Sequence, residues 1–119
     1  RWQQGFAWLY LVGDQSGRLK VGRTQQDPAA RLADHQTGNG ERLQYLAIVR
    51  SVRPVEQEGR LKDWLKPWRI PGAGDEWFRP DEVTRLEIGG MFDAFERVTM
   101  HHALSLAMER MPALSLSPG

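Results

Sequence analysis

Cysteine is missing from this sequence of 119 residues, and so is any apolar run approaching the roughly 20 residues that cross a bilayer. Without cysteine there can be no disulfide and no thiolate ligand for zinc. No segment has the charged start and apolar centre of a signal peptide. These absences exclude a disulfide scaffold and a membrane-spanning protein, and they favour a soluble one without a membrane partner.

The overall charge of +1 conceals an uneven distribution along the chain. Residues 1–70 contain 12 lysines and arginines against 7 acidic residues, a net charge of +5. Residues 71–119 contain 4 against 8, a net charge of −4. The basic half therefore predicts where a polyanion such as nucleic acid would bind.

Three segments have the composition of strands. Residues 7–12 are apolar, aromatic and β-branched, and they are too short for a typical helix. Residues 18–22 follow a Gln-Ser-Gly turn and alternate apolar with basic side chains, so the first two segments predict a hairpin. Residues 43–49 are rich in strand formers and predict a third strand.

Two segments of the basic half have the pattern of helices. The first, residues 28–36, has Asp27 as a cap and Pro28 in its first turn. The second begins at Pro54, repeats apolar residues at helical spacing, and should end at Pro67.

The acidic half is predicted to be mostly helical. Residues 76–78, Glu-Trp-Phe, are predicted as a short edge strand, and a last helix of the core begins near Pro80. Residues 91–111 predict an amphipathic helix whose apolar stripe changes phase near Thr99, which allows a bend or break there. That stripe suits either core packing or a dimer contact, and consists of Met100, Ala103, Leu104, Ala107, Met108 and Met111.

The order of these elements, β-β-α-β-α-(β)-α, contains no internal repeat and predicts an α+β protein. We expect a small antiparallel three-stranded sheet flanked by helices, followed by a C-terminal helical extension. We divide the chain into a core of residues 1–90 and an amphipathic helix and tail of residues 91–119. The chain starts with Arg1 rather than Met, which is consistent with a longer protein that has an additional domain.

Five polar side chains lie on these elements in positions that suit cleavage of a phosphodiester. Such a site needs a group that acts on water, a cation on the phosphate, and usually a carboxylate for a metal. Tyr10 lies on the first strand and Lys20 on the second. Arg31 and His35 are four residues apart on one helical face. Glu58 shares the apolar face of the second helix, where a carboxylate is costly unless it binds a cation.

Each of these residues also has a purely structural interpretation. Tyr10 would serve as a core aromatic side chain, and Arg31 and His35 as a solvated helix face. Lys20 and Arg23 would only keep an edge strand soluble. The order of the segments favours the functional interpretation for Tyr10 and Arg31. It leaves both interpretations open for His35, Lys20 and Arg23.

The segments together resemble the signature of the GIY-YIG nuclease superfamily. The matching motifs are L-Y-L at residues 9–11, K-V-G-R-T at residues 20–24 and R-L-A-D-H at residues 31–35. Three others are similar to a branch common in phage and bacterial proteins: Q-T-G-N at 36–39, E-x-x-L-K at 58–62 and D-E-W-F at 75–78. The match covers about residues 6–88, and so many motifs in one order make it specific.

The resemblance implies a metal-dependent endonuclease that acts on DNA. It assigns Tyr10 to the attacking water, Arg31 to the charge on the phosphate, and Glu58 to one Mg²⁺ or Mn²⁺. His35 and Lys20 would assist as proton carrier and phosphate ligand. The residues expected to contact nucleic acid are Arg18, Lys20, Arg23 and Arg31. A cytoplasmic location follows from the same resemblance.

Departures from the signature leave alternatives open. Trp8 and Leu9 replace the first glycine and isoleucine, Lys20 replaces the second tyrosine, and a late asparagine has no counterpart because Asn39 is the only one. A catalytically inactive DNA-binding module of the same fold is the leading alternative. A third hypothesis is an assembly or regulatory protein organised by the C-terminal helix, through which the chain would form a homodimer.

Overall fold

The computed structural model describes residues 7–72 and 77–110. Its strands are β1 (Ala7–Asp14), β2 (Leu19–Thr24) and β3 (Leu43–Ser51), and its helices are α1 (Pro28–Gln36), α2 (Pro54–Leu65) and α3 (Glu82–Arg110). A short 3-10 turn, Lys66–Trp68, continues α2. The strands form one antiparallel sheet in the order β2-β1-β3. The predicted α+β class, with its three-stranded antiparallel sheet and C-terminal helix, is confirmed.

The β1–β2 hairpin closes on the carboxylate of Asp14. Its Oδ1 accepts hydrogen bonds from the backbone N–H groups of Ser16 and Arg18, both at 2.9 Å. Its Oδ2 accepts from Nε of Arg18 at 2.6 Å. Gly17 has a φ of +96°, a backbone conformation that residues with a Cβ rarely adopt. The predicted turn is thus built from one carboxylate and one glycine.

The central strand β1 is buried on both faces, which explains why its sequence is continuously apolar. On one face Leu9 and Leu11 pack in the main core against α2 and α3; this core also contains Leu19, Val21, Val49, Leu61, Leu65, Phe78, Ile88, Phe92 and Phe95. On the other face Tyr10 and Val12 join a smaller cluster with Leu43 and Trp77. Helix α1 covers this second face, where its Leu32 contacts the cluster.

Helix α1 begins as predicted. Asp27 is its N-cap and accepts a hydrogen bond from the N–H of Ala30 at 3.2 Å, and Pro28 is its first residue. The hydroxyl of Tyr45 on β3 donates to the carbonyl of Pro28 at 2.6 Å, which fixes the start of the helix to the sheet. No residue of α1 is fully buried, so this short helix presents its side chains at the surface.

Residues 77 and 78 extend the sheet at its β2 edge. Phe78 exchanges two backbone hydrogen bonds with Leu19, of 2.8 and 2.9 Å, and also bridges to Arg69. In place of the predicted edge strand, Phe78 forms two isolated bridges, to Leu19 and to Arg69, and Glu76 lies outside the described residues. These bridges hold the segment that follows α2 against the sheet.

The acidic half forms one helix where two were expected. Helix α3 runs unbroken through residues 90 and 91 and through Thr99, so the helix expected from residue 91 continues the helix expected near Pro80. Met100, Leu104 and Met108 are 59%, 63% and 61% exposed, which rules out core packing for this part of the stripe; Met111 lies outside the described residues. Among the helices of residues 7–72 and 77–110, none combines the length and apolar character needed to cross a membrane.

Candidate active site

Tyr10 lies at the centre of the sheet, where β1 pairs with both neighbours. Its register partner on β2 is Gly22, and the phenol ring extends across that glycine. A Cβ at position 22 would lie 2.8 Å from the ring carbon Cε1 of Tyr10 and nearer still to its oxygen. The glycine of the K-V-G-R-T motif therefore makes room for the tyrosine, and the two residues form one unit.

Two further rings hold the phenol in place. The hydroxyl of Tyr10 is 2.8 Å from Nε2 of His35, with the rings edge to face at 5.8 Å between centroids. The ring of Tyr45 lies 5.6 Å away on the β3 side. His35 comes from the last turn of α1, so the hydrogen bond joins the predicted histidine to the predicted tyrosine.

The electrostatic environment keeps the phenol protonated. Burial raises the pKa of Tyr10 above its ordinary value, and the hydrogen bond and positive charge of Arg31 oppose this rise without cancelling it. The negative charge of Glu58 raises that pKa further. At neutral pH Tyr10 is therefore a neutral hydroxyl, able to donate one hydrogen bond and accept another.

Glu58 is on α2 and faces the β2 edge. Its Oε1 accepts a hydrogen bond from Nε of Arg23 at 2.9 Å, and its Oε2 lies 3.3 Å from Nζ of Lys62. Glu58 has 16% of its side chain exposed, whereas Glu56 points outward, 60% exposed, and pairs with Arg53 at 3.6 Å. Glu58 therefore lies toward the inner face of α2, where it was predicted, and Glu56 lies on the outer face.

The donor set suits a hydrated metal ion that also contacts substrate. Within the described ranges, no three acidic or histidine side chains are grouped so that they could hold a metal ion. Mg²⁺ commonly takes only one or two carboxylates and fills its other positions with water and phosphate oxygens. One carboxylate, Glu58, fits that requirement, provided that the ion shares or displaces the cations on its two oxygens.

Two of the predicted cations lie farther along the hairpin. Lys20 pairs with Val12 and so shares the face of Tyr10, but its ammonium lies 6.0 Å from the ring centre of Trp77. Arg18 is bound to Asp14 and stacks on the same ring at 4.5 Å. The structure therefore brings Lys20 near the site and leaves Arg18 in the hairpin turn.

Sequence reasoning missed two features of this site. Lys62 is the last residue of the E-x-x-L-K motif, and no role was predicted for it. Its spacing of four residues from Glu58 is nevertheless typical of an ion pair on a helix. Arg23 was predicted to contact nucleic acid, and in the structure its guanidinium binds the candidate metal ligand. The site thus contains Tyr10 and His35 beside the cations of Arg31, Arg23 and Lys62 and the carboxylate of Glu58.

Comparison with protein-family models, with curated proteins and with solved structures found no match to this chain.

Proposed function

We propose that this protein is a metal-dependent endonuclease that hydrolyses DNA phosphodiester bonds. One observation supports this above all: three elements distant in sequence bring Tyr10, His35, Arg31 and Glu58 to one place. This set provides a hydrogen-bonded proton pathway, a planar cation and a carboxylate. The motif order, which resembles that of GIY-YIG nucleases, also assigns these four residues to phosphodiester cleavage.

Arg31 is the group that binds the phosphate. A guanidinium donates two parallel hydrogen bonds to phosphate oxygens, and it spreads the charge that develops as water attacks. Tyr10 is only 1% exposed, and Arg31 interacts with its hydroxyl in the free protein. Lys20, on the same face, adds positive charge.

Tyr10 and His35 together accept the proton of the attacking water. Because the phenol is neutral, its oxygen can accept a hydrogen bond from water while its own O–H donates to Nε2 of His35. As the water oxygen bonds to phosphorus, its proton passes to Tyr10, and the proton of Tyr10 passes to His35. The bond to the leaving oxygen breaks, and that oxygen takes a proton from solvent. This relay requires neutral His35 with Nε2 unprotonated.

Glu58 would hold one Mg²⁺ or Mn²⁺ through its carboxylate oxygens. When bound, the ion would act as a Lewis acid and stabilise the negative charge that develops during cleavage. In the structure Arg23 and Lys62 bind the two oxygens of this carboxylate.

Cleavage of supercoiled plasmid and of labelled single strands tests this function. Wild type should cut with Mg²⁺ or Mn²⁺ and not with EDTA, and Glu58→Ala and Arg31→Ala should each lower the rate about 100-fold or more. Glu56→Ala is the matched control, because its carboxylate lies two residues away on the outer face. Cutting that persists in both site variants would refute the assignment.

The second candidate, an inactive DNA-binding module, is favoured by Lys20 at the second tyrosine position and by the two cations on Glu58. In that case DNA binding would be salt-sensitive, and neither wild type nor Arg23→Gln would cut with either metal. Cutting gained in Arg23→Gln alone would show that the ion pair suppresses an intact site.

Two further proposals concern the setting of this activity. A DNA substrate and the absence of cysteine suit a cytoplasmic location. The exposed stripe of α3 suits a contact with a second copy of the chain, since the described residues leave Met100, Leu104 and Met108 uncovered.

A further inference from the structure

A basic groove lies next to the candidate active site. It has a volume of about 350 Å³ and is lined by Lys62, Asp63, Lys66, Arg69 and Phe78. Lys62 belongs to both places, because its ammonium lies 3.3 Å from Glu58. Lys62 therefore joins the groove to the candidate active site.

Hydrogen bonds hold the backbone that carries the cations of the groove. Lys62 and Lys66 are one helical turn apart, so their side chains leave the same face of the α2 segment. The N–H of Arg69 donates to the carbonyl of Lys66 at 3.2 Å, and Arg69 bridges to Phe78. Since Phe78 is itself hydrogen-bonded to β2, the row of cations is tied to the sheet that carries the active site.

The charge of the groove suits a polyanion. The lining contains three cations and the carboxylate of Asp63. Lys62 is also paired with Glu58, so the exposed Lys66 and Arg69 provide the excess positive charge. Phe78 is 1% exposed and forms the floor, so it is not available to stack on a base. The groove thus offers cations in a row without groups that would read bases, which is the pattern of a backbone contact.

We infer that Lys66 and Arg69 bind the phosphate backbone of the nucleic acid strand that leaves the active site past Lys62. This inference rests on the proposed function for its choice of substrate. It adds a binding surface that sets how the strand lies across the protein. The surface recognises phosphates and not sequence.

A matched pair of arginines lies on another side of α2. Arg53 and Arg60 line a groove of about 240 Å³ with Glu56, Gln57 and residues of α3. Arg53 already pairs with Glu56 at 3.6 Å. This groove does not include Lys62, so it provides a control of equal charge change without a path to the active site.

The test compares full-length Lys66→Ala/Arg69→Ala with Arg53→Ala/Arg60→Ala. Binding of short labelled single strands and duplexes is measured in EDTA over a range of salt, so that cleavage does not interfere. The first variant should bind about three- to tenfold more weakly. The slope of its log affinity against log salt concentration should become less steep, by about 1.4 for single strands or about 1.8 for duplexes, because two phosphate contacts are lost. The control should match wild type. The probe with the larger loss identifies the strand type that occupies the groove.

Unchanged affinity and salt dependence in the Lys66/Arg69 variant would overturn the inference, provided that circular dichroism shows a folded protein. Equal losses in both variants would also overturn it, because they would indicate a diffuse charge effect. Plasmid cleavage by wild type is scored separately. Groove-dependent binding without cleavage would support the groove and refute the nuclease, whereas cleavage without groove-dependent binding would do the reverse.

Discussion

The contact between Tyr10 and Gly22 is the tightest constraint on a single residue in this site. The ring lies where a side chain at position 22 would start, and both residues belong to paired strands that cannot separate without breaking the sheet. A larger residue at position 22 must therefore displace the phenol from His35. The proton pathway depends on this glycine as much as on the tyrosine itself.

We predict that Gly22→Ala lowers the free energy of unfolding by about 1 to 3 kcal/mol and removes most of the cleavage activity, because overpacking forces the phenol out of place. Urea denaturation and plasmid cleavage measure the two effects. Gly59→Ala is the control, since nothing lies within 4 Å of a Cβ there; it should keep activity and gain about 0.5 to 1 kcal/mol within its helix. Full activity in Gly22→Ala would contradict the placement of Tyr10.

The raised pKa of Tyr10 leads to a second prediction, on pH. If the neutral phenol acts, the rate of cleavage should stay level between about pH 8 and 10, because the raised pKa keeps Tyr10 protonated there. If the phenolate were the base, the rate would instead rise about tenfold per pH unit toward pH 10. The pH profile of single-turnover cleavage distinguishes the two, with Tyr10→Phe expected to be about 100-fold slower throughout.

The same shift has a consequence for stability. Because the folded protein raises the pKa of Tyr10, the phenol contributes stability below its ordinary pKa, and this contribution is lost as the pH rises through the folded pKa. Alkaline unfolding of wild type should therefore start at lower pH than that of Tyr10→Phe.

Among the elements, the β1–β2 hairpin depends most on one buried charge. Burial alone would raise the pKa of Asp14, but hydrogen bonds from Ser16 and Arg18, with the charge of Arg18, outweigh it and lower that pKa. The carboxylate side chain has no exposed surface. The hairpin positions Lys20 and Gly22, so its turn affects the site.

We predict that Asp14→Asn lowers the free energy of unfolding by about 1.5 to 3 kcal/mol at neutral pH, because hydrogen bonds to a charged acceptor are lost. The folded pKa is depressed, so this difference is present above the ordinary pKa of aspartate and disappears as the pH falls through the folded pKa. Urea denaturation across acidic pH measures it, with exposed Asp93→Asn as the control. If the two proteins still differ in free energy of unfolding at the lowest pH, the loss comes from the geometry of the substituted side chain and not from its charge.

Local patterns predicted the elements well where burial decides the pattern. All three strands were placed, yet each continues two residues past its predicted end, where residues such as Gly13 and Asp14 are poor strand formers held by pairing. The two expected helices of the acidic half are one, because Ile88 and Phe92, on either side of Gly89 and Gly90, are both buried in the core. The apolar stripe changes phase near Thr99 because the first part of α3 packs on the sheet and the second does not.

Across the whole molecule, the sequence indicated candidate site residues one element at a time, but it could not indicate how those elements meet. Motif order identified Tyr10, Arg31 and Glu58, since each lies at a fixed place on its own element. The pairing of Glu58 with Arg23 depends on how α2 docks beside β2, and no local pattern contains that angle. The groove at Arg69 depends on the bridge to Phe78, nine residues farther along the chain.

The far part of α3 has an uncovered apolar stripe. Met100, Leu104 and Met108 repeat every four residues, so they form one stripe on a helix that no longer contacts the sheet. A helix end without packing is marginal in water, so a second copy of the chain would stabilise it. We predict that the protein is a dimer whose mass falls to that of one chain on dilution.

Light scattering with Leu104→Glu/Met108→Glu tests this prediction, since charges on the stripe should give a single-chain mass at every concentration. Leu86→Glu is the control, because that leucine is 79% exposed on the same helix yet lies before the stripe. A single-chain mass for wild type throughout would reject the dimer. Cleavage measured on the same samples shows whether activity follows the dimer or belongs to each chain alone, and because Tyr10, Arg31 and Glu58 come from one chain, it should be unchanged in the monomeric variant.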